Sequence, residues 1–230
     1  AWSPDGKTVA FIRDSLNGGG VYGIAADGSG GERRLAKIDR PIQEVIWSND
    51  GQWLVLRTDN GTAGAGDLVS VRTSGDSTPV PLVASKFTEM HPALSPDGRW
   101  LAYISDESGA NEIYVRPFPG TNGGRWQVSN GGGMSPVWSP DSKELYFIGG
   151  SGQLVAAELR TTSGFEVVQL RPLFEIAGYN LDLFHSSFAV SPDGRSFLFS
   201  RQRATGVGTA RPTIILVRNS FTDLAGRLKR

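Results

Sequence analysis

The four-residue string "SPDG" occurs at residues 3–6, 95–98 and 191–194, with the variants "SNDG" at 48–51 and "SPDS" at 139–142. Its serine recurs at intervals of 45, 47, 44 and 52 residues. A period in this range is a signature of propellers and solenoids. The flanks repeat with it. An apolar residue precedes each serine: Trp2, Trp47, Leu94, Trp138 and Val190. A run of three apolar residues begins six positions after it, as in Val9–Phe11, Leu54–Leu56, Leu101–Tyr103, Leu145–Phe147 and Phe197–Phe199. Short continuous runs of this kind read as strands buried on both faces. A third run follows in every unit ("VYGIAA", "DLVSV", "NEIYV", "QLVAA", "TIILV") and a fourth in four of them ("ERRLA", "TPVPLVA", "RWQVS", "RPLFEI"). No amphipathic helical stretch separates the units. The pattern predicts an all-β chain of radially packed, four-stranded antiparallel blades, with repeats at about 1–40, 41–86, 87–131, 132–178 and 179–219 and a short helix-like tail at 220–230.

Turn chemistry explains the repeated string. A type I turn favours Ser first, Pro second and Gly fourth. The glycine supplies the left-handed conformation of a bulged hairpin. "SPDG" therefore joins the innermost strand of a blade to the next. The five aspartates read as turn formers bonded to nearby amides rather than as a charge ring or metal site. Ser142 stands where its four counterparts are glycine, so Ser142→Gly is expected to relieve backbone strain.

The repeat "LSPDGRWLAYISDESGANEIYVRPF" resembles the WD40-like repeat of TolB-type β-propellers, a resemblance that covers nearly the whole chain. That family is usually six-bladed. The resemblance therefore implies a six-bladed ring of which five repeats are visible, truncated at the N-terminus. The repeats are also similar to the propellers that precede the catalytic domains of prolyl-oligopeptidase-like enzymes. From residue 134 on, "PVWSPDSKELYFIGGSGQLVAAEL", "FAVSPDGRSFLFSRQ" and "IILVRNSFTDLAGRLKR" look like the C-terminal propeller fused to bacterial serine/threonine protein kinases or transcriptional regulators. The ending of that group usually reads Asn-Trp-Phe; here it is Asn219-Ser220-Phe221. No glycine-rich nucleotide loop with a strand lysine and no kinase catalytic-loop pattern occurs in this chain.

Searches for catalytic patterns find none. The histidines are His91 and His185, no serine lies in a G-x-S-x-G elbow, and there is no His-Glu-x-x-His or calcium-loop spacing. Cysteine is absent, which removes disulfides, thiolate metal sites and a thiol nucleophile. No cofactor or metal is expected. The "GGG" and "GSGG" strings lack phosphate-loop context and are assigned to hairpin loops. Asn60-Gly61-Thr62 has the form of a glycosylation sequon but reads better as a tight Asn-Gly turn. With 23 basic and 23 acidic residues there is no general case for a nucleic-acid partner. No apolar run is long enough to span a bilayer.

Binding remains. The residue four before each turn serine is polar: Glu44, His91, Ser135 and Ser187. These four either gather near one mouth of the central channel or are solvated strand ends. The longest connection between units, "AGYNLDLFHSS" at 177–187, concentrates Tyr179, Phe184 and His185. It is either a partner-binding patch or a plug folded into the channel. The reading is a non-catalytic interaction or sensor propeller of a larger bacterial protein, binding a protein or peptide. The alternative is a substrate-gating propeller of a prolyl-oligopeptidase-like hydrolase. The first unit begins at "AWSPDG" and lacks most of an inner strand, so at least one further blade is expected upstream.

Overall fold

The computed structural model describes residues 1–13, 19–59, 66–162, 164–182 and 185–201 with their side chains, and 202 and 212–218 as backbone. Among these residues there are five separate antiparallel sheets and a single 3-10 turn at Thr121–Gly123. The first sheet holds β1 (Thr8–Arg13), β2 (Gly20–Ala25) and β3 (Arg33–Lys37). The second holds β4 (Ile42–Trp47), β5 (Trp53–Asp59), β6 (Gly66–Arg72) and β7 (Val80–Val83). The third holds β8 (Glu89–Leu94), β9 (Trp100–Ser105), β10 (Glu112–Pro117) and β11 (Trp126–Gln127). The fourth holds β12 (Gly133–Trp138), β13 (Glu144–Gly149), β14 (Gln153–Arg160) and β15 (Glu166–Glu175). The fifth holds β16 (Phe188–Val190), β17 (Ser196–Gln202) and β18 (Pro212–Arg218). Each is an up-and-down meander, and β4, β8, β12 and β16 lie side by side as the inner strands. This is a β-propeller, and its sheets do not close into a continuous barrel.

The alternation of side chains along each second strand explains the stacking. In β5, Leu54 and Leu56 pack toward the first sheet and Val55 toward the third. In β9, Leu101 and Tyr103 face the second sheet while Ala102 and Ile104 face the fourth. In β13, Leu145 and Phe147 face the third sheet, and Tyr146 and Ile148 the fifth. A strand with period two and apolar residues at every position buries both faces, so the second, third and fourth blades each share a core with both neighbours. Complete burial of each such side chain contributes about 1.5–3 kcal/mol. The expectation of strands buried on both sides is met.

The repeated turns have the expected left-handed fourth residue in all five units: φ is 68° at Gly6, 70° at Gly51, 72° at Gly98, 60° at Ser142 and 69° at Gly194. In the first, the Gly6 N–H donates to the Ser3 carbonyl at 2.9 Å. The Ser3 hydroxyl donates to Asp5 Oδ1 at 2.6 Å and accepts from the Thr8 N–H at 2.9 Å. Asp5 Oδ1 also accepts the Lys7 N–H at 3.0 Å. The same three bonds recur at Ser48–Asp50, Ser95–Asp97, Ser139–Asp141 and Ser191–Asp193. The aspartates are therefore turn formers that satisfy backbone donors.

One local expectation needs correction. Gly131–Gly133 do not form a hairpin loop. They connect the third sheet to the fourth, where the Gly131 and Gly132 N–H groups donate to the buried Glu112 carboxylate at 2.8 and 2.9 Å. The tail at 220–230 and the sequon at 60–62 lie outside the described residues.

Candidate functional site

Every inner strand of the three complete sheets carries a bulge where the polar residue sits. Register shifts fall between Ile42 and Glu44, between Met90 and Ala93, and between Met134 and Val137. His91 and Ser135 both take φ of 52°, a left-handed conformation that costs a side-chain-bearing residue free energy. A bulge of this kind turns the backbone N–H out of the ladder. The backbone donors at His91 and Ser187 find partners on the preceding blade. The His91 N–H donates to Glu44 Oε2 at 3.0 Å. The Ser187 N–H donates to Ser135 Oγ at 3.4 Å, and the Ser135 hydroxyl donates to Ser187 Oγ at 3.2 Å.

The equivalent positions thus divide into two pairs with different surroundings, although His91, at 5% exposed, is as buried as the serines. Ser135 and Ser187 are buried, 0% and 8% exposed, and occupied with each other. They are not solvated strand ends. Glu44 and His91 instead line a cavity of about 440 Å³, together with Ile12, Val45, Pro136 and His185. Burial pushes the Glu44 carboxyl above the usual range. The charges of His91, Arg57 and His185 and the His91 N–H pull it back. Arg57 lies directly across the ladder from Glu44 and is buried. Sequence reasoning passed over it, although an arginine inside the apolar run "WLVLRTD" was the visible signal.

The connection at 177–187 does two things. Tyr179 packs inward on the fourth–fifth sheet core, its ring 4.8 Å from that of Phe199. It is partly buried there. His185 reaches the cavity. Its N–H and its Nδ1 each lie 3.1 Å from the Asp182 carboxylate, and its side chain remains 70% exposed. The Asp182 N–H donates to Ser187 Oγ at 3.0 Å, which anchors this short turn to the buried serine pair. Phe184 lies outside the described residues. Among the described residues, no group of three or more acidic or histidine side chains is placed to hold a metal ion, and no helix is long and apolar enough to cross a membrane.

No family model matches the chain. It is 26% identical over 156 residues to YuxL, an uncharacterised peptidase of Bacillus subtilis, a match covering 50% of this chain and 23% of that protein. It is 28% identical over 160 residues to the uncharacterised protein Atu1656 of Agrobacterium fabrum, covering 64% and 53%. The chain thus spans about a quarter and about half of the curated relatives it matches. Among solved structures it superposes on a protein assigned as TolB from Agrobacterium tumefaciens with a TM-score of 0.67 at 19% identity, covering 94% of this chain and 75% of that one. TolB from Acinetobacter baumannii gives 0.67 at 16% identity, covering 95% and 50%. A puromycin-hydrolysing peptidase of Mycobacterium tuberculosis gives 0.66 at 16% identity, covering 96% and 36%. At these identities the likenesses show the fold, a TolB-like β-propeller, and the neighbours include both TolB and peptidase propeller domains.

Proposed function

We propose that the chain is a non-catalytic interaction propeller of a larger bacterial protein, engaging a protein or peptide at the channel mouth. One observation carries the reading: Glu44, His91 and His185, from two inner strands and one inter-blade connection, converge on a single cavity of about 440 Å³. Loops and strand ends on a rigid scaffold are where propellers bind. The test is photo-crosslinking from a benzophenone amino acid at position 43, beside Glu44, in the native host. A single crosslinked partner, lost on combined Glu44→Gln and His185→Ala substitution, supports the reading. Crosslinking that survives the double substitution overturns it.

A second reading is the propeller of a hydrolase that gates a catalytic domain. The likeness to YuxL and to the puromycin-hydrolysing peptidase supports it. Labelling the full natural protein with a fluorophosphonate serine probe separates the two. Covalent labelling of the same polypeptide favours gating, and its absence favours an interaction module.

A further inference from the structure

The polar groups that meet at the mouth are acceptors. His185 Nδ1 lies 3.1 Å from Asp182 Oδ2. A carboxylate only accepts, so the one hydrogen of the neutral imidazole sits on Nδ1. Nε2, on the opposite side of the ring, is left as an acceptor. The backbone holds this arrangement, because the His185 N–H donates to Asp182 Oδ1 and the Asp182 N–H to Ser187 Oγ. Ser186 lines the same cavity and spends its hydroxyl hydrogen on the Phe188 carbonyl at 2.8 Å, which leaves its oxygen to accept. Glu44 adds a carboxylate, of which Oε2 takes the His91 N–H. It lies close enough to His185 for the charge of that ring to act on it. Two further lining residues, Pro92 on β8 and Pro136 on β12, carry no backbone N–H.

Charge points the same way. With both imidazoles neutral, Glu44 and Asp182 carry two negative charges, and Arg57, across the ladder from Glu44, carries one positive. A ligand that suits these groups brings several donors, no acceptor and a positive charge. Among side chains the arginine guanidinium does this best, as a rigid planar fork of N–H groups that can serve separate acceptors at once. We propose that the mouth takes the guanidinium of an arginine on the partner polypeptide, with Glu44, His185 Nε2 and the Ser186 oxygen as its acceptors. Burial pushes the Glu44 carboxyl above the usual range, and a cation seated beside it acts in the opposite sense. This rests on the interaction reading above and names the side chain that the mouth selects.

The probe is Nα-acetyl-argininamide, with the uncharged isostere Nα-acetyl-citrullinamide as control. Each is titrated into the full natural protein carrying isotope-labelled histidine, at about pH 8, where an imidazole is neutral. Proton–nitrogen NMR spectra should place the His185 hydrogen on Nδ1, the signals being assigned by their loss in His185→Ala. Argininamide should shift the Nε2 signal and saturate with a Kd of about 1–10 mM. The citrulline compound should bind at least about tenfold more weakly, and Glu44→Gln should weaken argininamide by about tenfold. Glutamine keeps an acceptor for the His91 N–H, so this variant should melt as the parent does. If it unfolds instead, the comparison of the two probes decides. Equal binding of the two probes, unchanged binding in Glu44→Gln, no shift at about 100 mM argininamide, or a His185 hydrogen on Nε2 would each overturn the proposal. A crosslinked partner that is lost with the Glu44→Gln and His185→Ala double substitution, while argininamide fails to bind, removes the guanidinium and keeps the mouth as the interaction site.

Discussion

The Ser142 hydroxyl accepts a hydrogen bond from the backbone N–H of Asp97, 3.1 Å away and 45 residues earlier in the chain. Asn49, which replaces proline in another of the turns, donates from Nδ2 to the Pro96 carbonyl at 2.7 Å. The two departures from "SPDG" thus tie the second and fourth turns to the third from either side. Residues that weaken their own turn link it to the neighbouring blade.

This revises the expected effect at Ser142. Glycine would relieve a left-handed strain of about 1 kcal/mol. It would also lose the bond to the Asp97 N–H, at a net cost of about 0.5–1.5 kcal/mol. Ser142→Gly should therefore be near neutral or mildly destabilising, and Ser142→Ala, which keeps the strain and loses the bond, should cost more. Gly98→Ala should cost about 1 kcal/mol from backbone conformation, since no atom lies within 4 Å of the added carbon. Urea midpoints of the three variants check the order. A clear gain in stability for Ser142→Gly would refute the linkage.

The two tryptophans before turn serines offer a second comparison. Trp138 Nε1 donates to the Ala93 carbonyl of the preceding blade at 3.0 Å, whereas the equivalent Trp47 Nε1 is buried with no acceptor. Trp138→Phe should destabilise by about 1 kcal/mol more than Trp47→Phe, since only the first loses a hydrogen bond. Thermal melts of the pair measure this difference. Equal losses would count against the indole bond.

Tyr179 and His185 should separate cleanly. Tyr179→Ala removes a ring from the Phe199 cluster and should cost about 2–3 kcal/mol, somewhat less than a fully buried aromatic. His185→Ala, at an exposed side chain, should stay within about 0.5 kcal/mol of the parent. Denaturant titration of both tests the assignment of one to the core and the other to the mouth.

The pH dependence has two opposed parts. Glu89 is buried beside Ser85, and Oε2 has no partner. Burial raises its carboxyl above the usual range; the Ser85 hydroxyl opposes this, and the charges of Asp67 and Asp106 add to it. A carboxyl raised on folding stabilises below its unfolded value, and that contribution is lost as pH rises through the folded value. Glu89→Gln should therefore be more stable than the parent at about pH 8 and indistinguishable from it at about pH 4. Asp5 and Asp193 act in the other direction. The serine hydroxyls and the Lys7 and Arg195 N–H groups hold them below the usual range. Their contribution is present above the unfolded carboxylate value and lost as pH falls through the folded one. Urea midpoints across this range decide both. A Glu89→Gln advantage that persists in acid would exclude a charge effect.

Much of this was legible in the chain because it is local. A turn is decided by residues within five positions of one another, so the Ser–Pro–Asp–Gly pattern determines the left-handed φ at Gly6 through Gly194 without help from the rest of the molecule. A strand buried on both faces shows itself by apolar residues at consecutive positions, so Leu54–Leu56 and Leu101–Tyr103 declared the stacked blades. The channel was different. Spacing by itself put Glu44, His91, Ser135 and Ser187 at one equivalent position and could not say that the two serines would close on each other while Glu44 and His91 line a cavity. That outcome depends on which way the backbone N–H at each of these positions turns and on what the blade before it offers, across about fifty residues of chain. The same holds for Tyr179 and His185, six residues apart. Only packing against the fifth sheet sends one into the core, and only the Asp182 turn holds the other at the mouth.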